Sequence, residues 1–542
     1  MHEDSLWTST YDISKQFERT TNNASAYSTL SYKLPFANTK HGLKIMGGVE
    51  YQSKSSSRFI QEYQDVDNYM FANYNTGSNF DTLTYDDRKD YGELFASLFG
   101  RINYQFNDRY FVQGVFRRDA SSKFGSNKRF GNFPSIGAGW IISEEAFLKN
   151  NPVLNYLKLK ASWGITGNSD IAWTEQFAIY VIDSLGGYNG KPLQYQSKLE
   201  NPDLQWEEVH ATDIGLEIGL WKDRVTADIS WYRKMTTKGF ISESLQASSG
   251  IDALESFRNV GKIRNRGIEI GLNTRNIVTP SFSWSTELNI AFNRNKVLEV
   301  GTATPDALDG GFGDVRAVPG YPVTCNYIVR FSHVDPSTGR PVYLDKEGHE
   351  TFVYDVVNNR VPIANQPDYL GGFTNTFRYK NFALSGLFTF SQGGYIYDDA
   401  AKRQLGVVTD WNMRREVLDH WTHEGQTNAP LPKLTMDMTN WGGNDNFWQN
   451  NHSLWLEDAS YLRLKNVSLD YTFYPKNKKV LRSIVFRLSG TNLLTFTNYS
   501  GWDPEVGRGR ENAQQRNIGG SNVTYLTPPQ EKTYNIGINI NF

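Results

Sequence analysis

The sequence predicts an all-β fold in the form of a transmembrane antiparallel β-barrel. Three observations indicate it: an aromatic- and glycine-rich composition, segments that alternate apolar and polar residues, and connections that alternate between short and long. Aromatic residues make up 14% of the 542 residues, and Gly occurs 46 times. Aromatic side chains favour strands, while Gly and Asn favour the turns between strands.

Composition also excludes several kinds of protein. Lys and Arg number 56 against 58 Asp and Glu, so the chain has no net field for a polyanion and we predict no nucleic-acid partner. Cys325 is the one cysteine, which excludes an intramolecular disulfide. Residues Met1–Asp4 show no signal-peptide pattern. No run approaches the ~18 apolar residues of a spanning helix, but strands that alternate their faces need none.

The last segment, Glu531–Phe542, shows the alternation most clearly. Large apolar residues occupy every second position, and Asn or Gly occupies the positions between them. In a strand this puts all the large apolar side chains on one face. A slip of one residue would move Asn to that face throughout, so the register is strongly specified.

The same alternation recurs upstream. Most of these segments are close in length to the ~9–11 residues that a tilted strand needs to cross a bilayer. These segments are 94–106, 212–220, 225–231, 282–292 and 467–473, with the first strands near 24–34 and 43–54. Counting the intervening segments, we predict about 15 strands.

The connections between these strands alternate in length. Short turns are predicted at 107–109, 221–224, 379–381 and 474–482. Long connections are predicted at 168–207, 235–264, 294–370, 391–459 and 493–531. This order is typical of membrane barrels, whose periplasmic turns are short and whose extracellular loops are long.

Four sequence blocks resemble one family in particular. They are GRINYQFNDRYFVQGVFRRDASSKFGSNKRFGNFPSIGAGWIISEEAFLK with LKLKASWGITGN (100–168), PDYLGGFTNTFRYKNFALSGLFTFSQGGYIYD (367–398), YLRLKNVSLDYTF (461–473) and NLLTFTNYSGWDPEV (492–506). In this order they resemble the SusC/RagA family of TonB-dependent outer-membrane transporters. The resemblance implies a 22-strand barrel, with partial N-terminal strands and a loop at 1–92 and the C-terminal part of the barrel at 93–542. It also implies that the family's plug domain and TonB box are absent from this chain.

The function that the resemblance implies is energised import of a nutrient through the bacterial outer membrane, an oligosaccharide rather than a peptide. The implied partners are a SusD-like surface lipoprotein that caps the extracellular loops, the TonB energy-coupling complex acting through the plug, and the outer-membrane lipid. The barrel-assembly machinery would recognise the terminal aromatic residue, Phe542. Two alternatives stay open: a non-transporting surface adhesin or carbohydrate-binding β-protein, and a passive porin.

The most distinctive block within the resemblance runs from Arg118 to Trp140. Its candidate residues are Arg118, Asp119, Ser121, Ser122, Phe124, Arg129, Phe133, Pro134 and Ser135. We favour an architectural role, in which a strand end and a tight loop are shaped by proline and glycine. The functional alternative has Arg118, Asp119 and Arg129 lining the lumen or touching the plug.

Aromatic residues in the long loops are candidates for stacking on sugar rings, although packing or an interfacial girdle would explain them equally well. The four that we single out are Trp411, Trp421, Trp441 and Trp448.

No catalytic or metal-binding pattern is found, so we predict neither an enzyme nor a cofactor. The glycines at 310–313 lack the Lys-Ser/Thr of a phosphate loop. His420 and His423 favour a solvated pair over a zinc site. Members of this family often carry a loop that resembles a calcium site at the position of residues 345–350. In this chain Lys346 and His349 lie in that loop, and we therefore predict that it binds no calcium.

Overall fold

The computed structural model describes most of the chain. The described residues are 13–36, 38, 40–66, 77–79, 86–188, 191–243, 256–303, 314–405, 412–434, 447–448, 450–476, 481–507 and 522–542. Among them no helix has the length and apolarity required to cross a membrane.

One antiparallel sheet of 15 strands dominates the structure, with each strand paired to the next one along the chain. We number these strands β1 (Ile13–Leu34), β2 (His41–Val66), β3 (Asp86–Phe106), β4 (Tyr110–Ser121), β5 (Phe130–Ile141), β6 (Leu154–Asn168), β7 (Glu207–Leu220), β8 (Val225–Glu243), β9 (Ser256–Val278), β10 (Phe282–Val300), β11 (Tyr369–Tyr379), β12 (Phe382–Gln392), β13 (Tyr461–Phe473), β14 (Ser483–Thr497) and β15 (Thr533–Asn541). A short additional strand, Gly77–Asn79, pairs with β2.

The strand count and the antiparallel order confirm the predicted fold class. β3 continues through residue 92, so a single sheet covers both predicted segments of the chain. In the part of the chain that the structure describes, β1 pairs only with β2 and β15 only with β14. These two strands are therefore edges of the described sheet.

The two faces of the sheet differ as the alternation predicts. On β15, Ile536 and Ile538 are 86% and 60% exposed on the apolar face. That face continues across the sheet through Leu98 on β3 and Phe116 on β4. We call it the lipid face, because large apolar side chains exposed in this number are stable only against a bilayer. The opposite, polar face we call the lumenal face.

The short and long connections that we predicted are confirmed, although the eight-residue connection 122–129 and the twelve-residue connection 142–153 do not follow the alternation. The turns after β3, β7 and β11 use residues with positive φ, including Asn107 at 50° and Asp108 at 53°. Such backbone angles match the twist of paired strands, and Asn and Asp tolerate them. The connection predicted at 235–264 is shorter than expected, because β8 and β9 stay paired as far as Glu243 and Ser256.

The described parts of three long connections, 301–368, 393–460 and 498–532, fold together into what we call the loop assembly. It contains a five-stranded sheet built from Val315–Arg316, Cys325–Val334, Pro341–Leu344, Glu350–Thr351 and Arg360–Ala364. A three-stranded sheet joins Leu456–Asp458, Tyr395–Asp398 and Val523–Thr524. Its buried core is Val315, Ile328, Val329, Tyr343, Tyr397, Ala401, Leu405, Val417, Leu431, Phe447, Trp448, Trp455 and Val523.

Candidate functional site

Arg117 organises the lumenal face of β2, β3 and β4. Its Nη2 lies 2.7 Å from Glu50 Oε2 and 2.7 Å from Ser97 Oγ, and its Nε donates to Asp119 Oδ1 at 2.7 Å. Glu50, Ser97 and Asp119 stand opposite one another on three neighbouring strands, so one guanidinium ties the strands together. Asp119 is only 5% exposed, and a charge so enclosed requires a partner of this kind.

The sequence analysis selected Arg118 as a possible lumen-lining residue and missed Arg117. Arg118 instead lies on the lipid face, opposite Leu98, with its guanidinium 4.8 Å from the centroid of the Phe130 ring. The signal that we missed is the alternation of side chains between the two faces of a strand. Phe116 is an outward apolar residue, and Arg118, two residues further on, lies on the same face. Arg117 therefore had to point inward.

Further ion pairs line the lumenal face elsewhere. Lys160 Nζ on β6 lies 3.0 Å from Glu217 Oε1 on β7 and 2.8 Å from Asp228 Oδ2 on β8. Arg487 and Asp470 form a two-bond pair between β14 and β13, at 2.8 and 2.7 Å. Paired charges give a wall that is wettable yet carries little net field.

An open cavity of about 1370 Å³ lies against this face. It is bordered by Arg117, Asp119, Ser135, Lys160 and Asp213, which come from β4 to β7. Asp119, Ser121, Phe133 and Ser135 are thus the candidate residues that the structure places on the lumenal face. The cavity wall combines these charged and hydroxyl side chains with apolar ones, among them Phe133 and Ile165.

The remaining candidate residues of the block hold a loop in place. Phe124 is completely buried and Phe133 is 7% exposed, and both rings pack on Trp206 at centroid distances of 4.7 and 5.3 Å. Together with Ile171 and Leu204, these three residues form a second buried cluster, separate from the core of the loop assembly. This packing joins the 122–129 connection to the 169–206 connection.

Hydrogen bonds complete this junction. Ser122 Oγ accepts from the Leu94 N–H at 2.9 Å, and the Arg129 carbonyl accepts from Trp206 Nε1 at 3.0 Å. The Ser121 N–H donates to the Arg129 carbonyl at 3.2 Å, while the Arg129 side chain is exposed. Pro134, opposite Phe116 on β4, lies on the lipid face.

Gly125 shows how tightly the two connections approach. A Cβ at this position would lie 2.1 Å from the Pro202 carbonyl oxygen, and the Gly125 N–H donates to the Leu204 carbonyl at 2.9 Å. Glycine is required because the backbones touch.

Asn451 is the polar centre of the loop assembly. Its Oδ1 accepts from Tyr397 Oη and from Lys402 Nζ, each at 2.7 Å, and its Nδ2 donates to Asp314 Oδ2 at 2.7 Å. Tyr354 Oη donates to its carbonyl at 2.9 Å. These bonds join the connection 301–368 to the connection 393–460.

Burial strongly shifts the pKa values of two further side chains in the loop assembly, His452 and Cys325. His452 is fully buried between Phe447 and Trp455, and burial lowers its pKa to about 3. Burial raises the pKa of the Cys325 thiol to about 11. His452 is therefore a neutral packing group, and Cys325 is a protonated thiol.

The candidate sugar-stacking aromatics have different surroundings. Trp448 is only 1% exposed, so in this structure both faces of its ring are covered by the core of the loop assembly. Trp421 is half-buried, and its Nε1 donates to the Pro336 carbonyl at 3.1 Å. Trp411 and Trp441 lie outside the described residues. Trp502, another tryptophan of the long loops, is 69% exposed.

Trp502 precedes a charged cluster that fixes its connection to the sheet. Asp503 accepts from the buried Arg463 of β13, and Glu505 Oε2 lies 2.9 Å from the same guanidinium. Burial raises the pKa of Asp503, but the hydrogen bonds from Arg463 and from the backbone N–H groups of Glu505 and Gln530 bring it below its ordinary value. Asp503 is therefore ionised, and the connection next to Trp502 is anchored.

The described residues contain no group of three or more His, Cys, Asp or Glu side chains placed to hold a metal ion. At 345–350 the chain forms a tight turn, in which the His349 N–H donates to Asp345 Oδ1 at 2.8 Å. Phe542, the predicted assembly signal, is 78% exposed on the lipid side of the last strand.

Comparison with known proteins identifies relatives of the whole barrel region. Residues 2–493 match the family model described as TonB dependent receptor-like, beta-barrel. TonB-dependent receptor P26 of Formosa agariphila is 30% identical over 530 residues, covering 93% of this chain and 51% of the relative. TonB-dependent receptor SusC of Bacteroides thetaiotaomicron is 29% identical, over 76% of this chain and 42% of SusC. The chain thus spans about half the length of the curated relatives it matches.

The structure of the RagAB peptide transporter has a similar fold. It superposes with a TM-score of 0.81 at 24% sequence identity, covering 98% of this chain and 57% of that one.

Proposed function

Because the chain belongs to the TonB-dependent receptor-like β-barrel family of the bacterial outer membrane, we propose that it forms the wall of an energised nutrient importer. The observation that carries the proposal is a lumenal face of paired charges below a folded extracellular loop assembly. A wall of this kind suits a lumen that holds a movable protein plug, since paired side chains can exchange hydrogen bonds with it.

The edges of the sheet support the same assignment. Unpaired N–H and C=O groups on β1 and β15 would be costly in lipid, where no water can satisfy them. The further strands of a 22-strand barrel would pair with both edges. The TonB complex would act on the plug inside that barrel, and the barrel-assembly machinery would recognise the last strand with Phe542.

We assign an oligosaccharide as the nutrient and a SusD-like surface lipoprotein as the partner that captures it. SusC is among the relatives that the sequence matches. The loop assembly offers a rigid platform for a capping protein, and Trp502 offers an exposed indole to a sugar ring. A peptide is the second candidate nutrient, because the RagAB peptide transporter has a similar fold.

The proposal is tested by uptake into cells that carry the protein with its partner. Fluorescent oligosaccharides and peptides are offered in parallel, with and without a functional TonB complex. We expect oligosaccharide uptake that is lost without TonB. Uptake that persists without TonB would establish a passive porin, and selective uptake of peptides would overturn the oligosaccharide assignment.

A matched pair of variants then tests the sugar contact. Trp502→Ala should weaken oligosaccharide binding by roughly 0.5–1.5 kcal/mol, the range of a lost stacking contact. Trp221→Ala, at an exposed tryptophan of a short periplasmic turn, is the control and should leave binding unchanged. Equal affinities of wild type and Trp502→Ala would remove Trp502 from the site.

A further inference from the structure

Arginines stand side by side across three strands of the sheet. Arg233 on β8 is opposite Arg266 on β9, and Arg266 is opposite Arg294 on β10. Two residues further from the short turns, Arg264 on β9 is opposite Lys296 on β10. We call these five residues the basic patch.

The basic patch lies on the lipid face. Each arginine of the row is two residues from an outward apolar residue on its own strand and therefore lies on the same face. The pairs are Arg233 with Trp231, Arg266 with Ile268, and Arg294 with Phe292. Trp231, Ile268 and Phe292 are themselves a cross-strand row, 39%, 42% and 36% exposed. The cations therefore follow directly on an outward row of large apolar side chains.

The height of the patch corresponds to the extracellular edge of the apolar band. Arg233 is eight residues along β8 from Val225, and Arg294 is twelve residues along β10 from Phe282. With a rise of about 3.4 Å per residue and a tilt near 40°, these positions lie roughly 20–30 Å above the short turns. The apolar band of such barrels is about 25 Å tall, so the patch meets the headgroups of the outer leaflet.

Protein carboxylates neutralise only part of the patch. Arg294 Nη2 lies 2.7 Å from Asp368 Oδ1. Within the described ranges, no carboxylate lies within 4 Å of the other four cations. Two acidic groups of β7 and β10 are paired with other cations, Glu208 with Lys238 and Glu299 with Lys262.

Like charges directly opposite on neighbouring strands destabilise a sheet. A row of three arginines therefore needs an external anion, and the bilayer edge supplies a particular kind. Guanidinium groups bind phosphate in a two-bond geometry and are weakly hydrated, which suits a headgroup layer.

We propose that the basic patch binds the phosphate groups of the phosphorylated glycolipid in the outer leaflet. The site holds the lipid against the outside of the barrel and is independent of the import path. Aromatic and aliphatic side chains below it, Trp231, Ile268 and Phe292, would contact the acyl chains of the same lipid.

The test is titration of the purified full chain with lipid A in detergent micelles, followed by native mass spectrometry. We expect binding to lipid A and little binding to its dephosphorylated form. Each arginine near an anionic membrane surface contributes about fivefold, so R233Q/R264Q/R266Q should bind roughly a hundredfold more weakly. Excess inorganic phosphate should not displace the lipid; complete displacement would make this a site for free phosphate and overturn the proposal.

One control variant tests whether the lipid-facing position of the cations matters, and a second tests whether their charge is sufficient. K234Q changes a cation next to Arg233 but on the lumenal face, and it should leave lipid binding unchanged. R233K/R264K/R266K keeps the charge and the assembly, and it should retain most of the binding. If the glutamine variant does not assemble, R266Q alone carries the test, with about a fivefold loss expected. Unchanged binding by R266Q, or equal losses in R266Q and K234Q, would refute the proposal.

Discussion

The sheet and the loop assembly are parts of one chain that are stabilised in opposite surroundings. On β15, Ile536 is 86% exposed, yet the strand is stable because lipid covers its apolar face. In the loop assembly, Phe447 is completely buried and Trp455 is 2% exposed, as in the core of a soluble domain. The comparison shows that burial by protein and burial by lipid have to be judged by different criteria.

The largest expected effect is in the loop assembly. Trp455→Ala removes a fully packed indole and should destabilise the assembly by about 3–5 kcal/mol, through lost burial and the cavity left behind. Trp502→Ala, at an exposed tryptophan, should change this stability very little. Hydrogen exchange of the 325–334 backbone measures the difference, while the sheet strands should keep their protection. Equal protection in the two variants would show that the assembly has no cooperative core.

The next effect is on the lipid face of the sheet. Ile538→Arg puts a charge on the lipid side of β15 and should cost roughly 2–4 kcal/mol near the membrane midplane. Asn539→Arg puts the same charge on the lumenal side and should cost much less. Folding into bilayers at graded denaturant concentrations compares the two. If both variants assemble equally well, our assignment of the faces is wrong.

A graded effect is expected from pH, about 2 kcal/mol between pH 6.5 and 4.5. His452 has a folded pKa of about 3 against an ordinary value near 6.5, so the unfolded loop assembly binds the proton that the folded one excludes. Stability from this group is complete above pH 6.5 and falls by about 1.4 kcal/mol per pH unit between 6.5 and 3. His452→Gln should flatten this part of the profile, measured by hydrogen exchange at pH 6.5 and 4.5. An unchanged slope in the variant would assign the acid sensitivity to other groups.

Sequence reasoning predicted the sheet well because a strand encodes its faces locally. The alternation in β15 fixes both its register against β14 and the side that meets lipid. Turns such as Asn107–Asp108 were predictable for the same reason, since their residue types suit positive φ. The end of β8 at Glu243 was missed, because strands that project beyond the membrane no longer need apolar residues at every second position.

The candidate site was harder, because its residues meet through long-range contacts. Trp448 was selected as a possible sugar platform, and nothing local indicates that it packs against Phe447 and Trp455. Asn451 is an ordinary loop asparagine in the sequence, and only the folded connections make it a shared hydrogen-bonding centre. Arg117 could have been predicted from the sequence, since the alternation of side chains along β4 places it on the lumenal face.

The pairing of Tyr397 with Val523 has a consequence for the order of folding. These residues are far apart in the chain but adjacent in a parallel pair. The strand that contains Val523 lies immediately before β15, whereas Tyr397 follows β12. Contacts of such large sequence separation form slowly, because the chain entropy must be lost before they are made. The loop assembly can therefore close only after β12, β13 and β14 have brought its connections together, so we expect its closure to be a late step of folding.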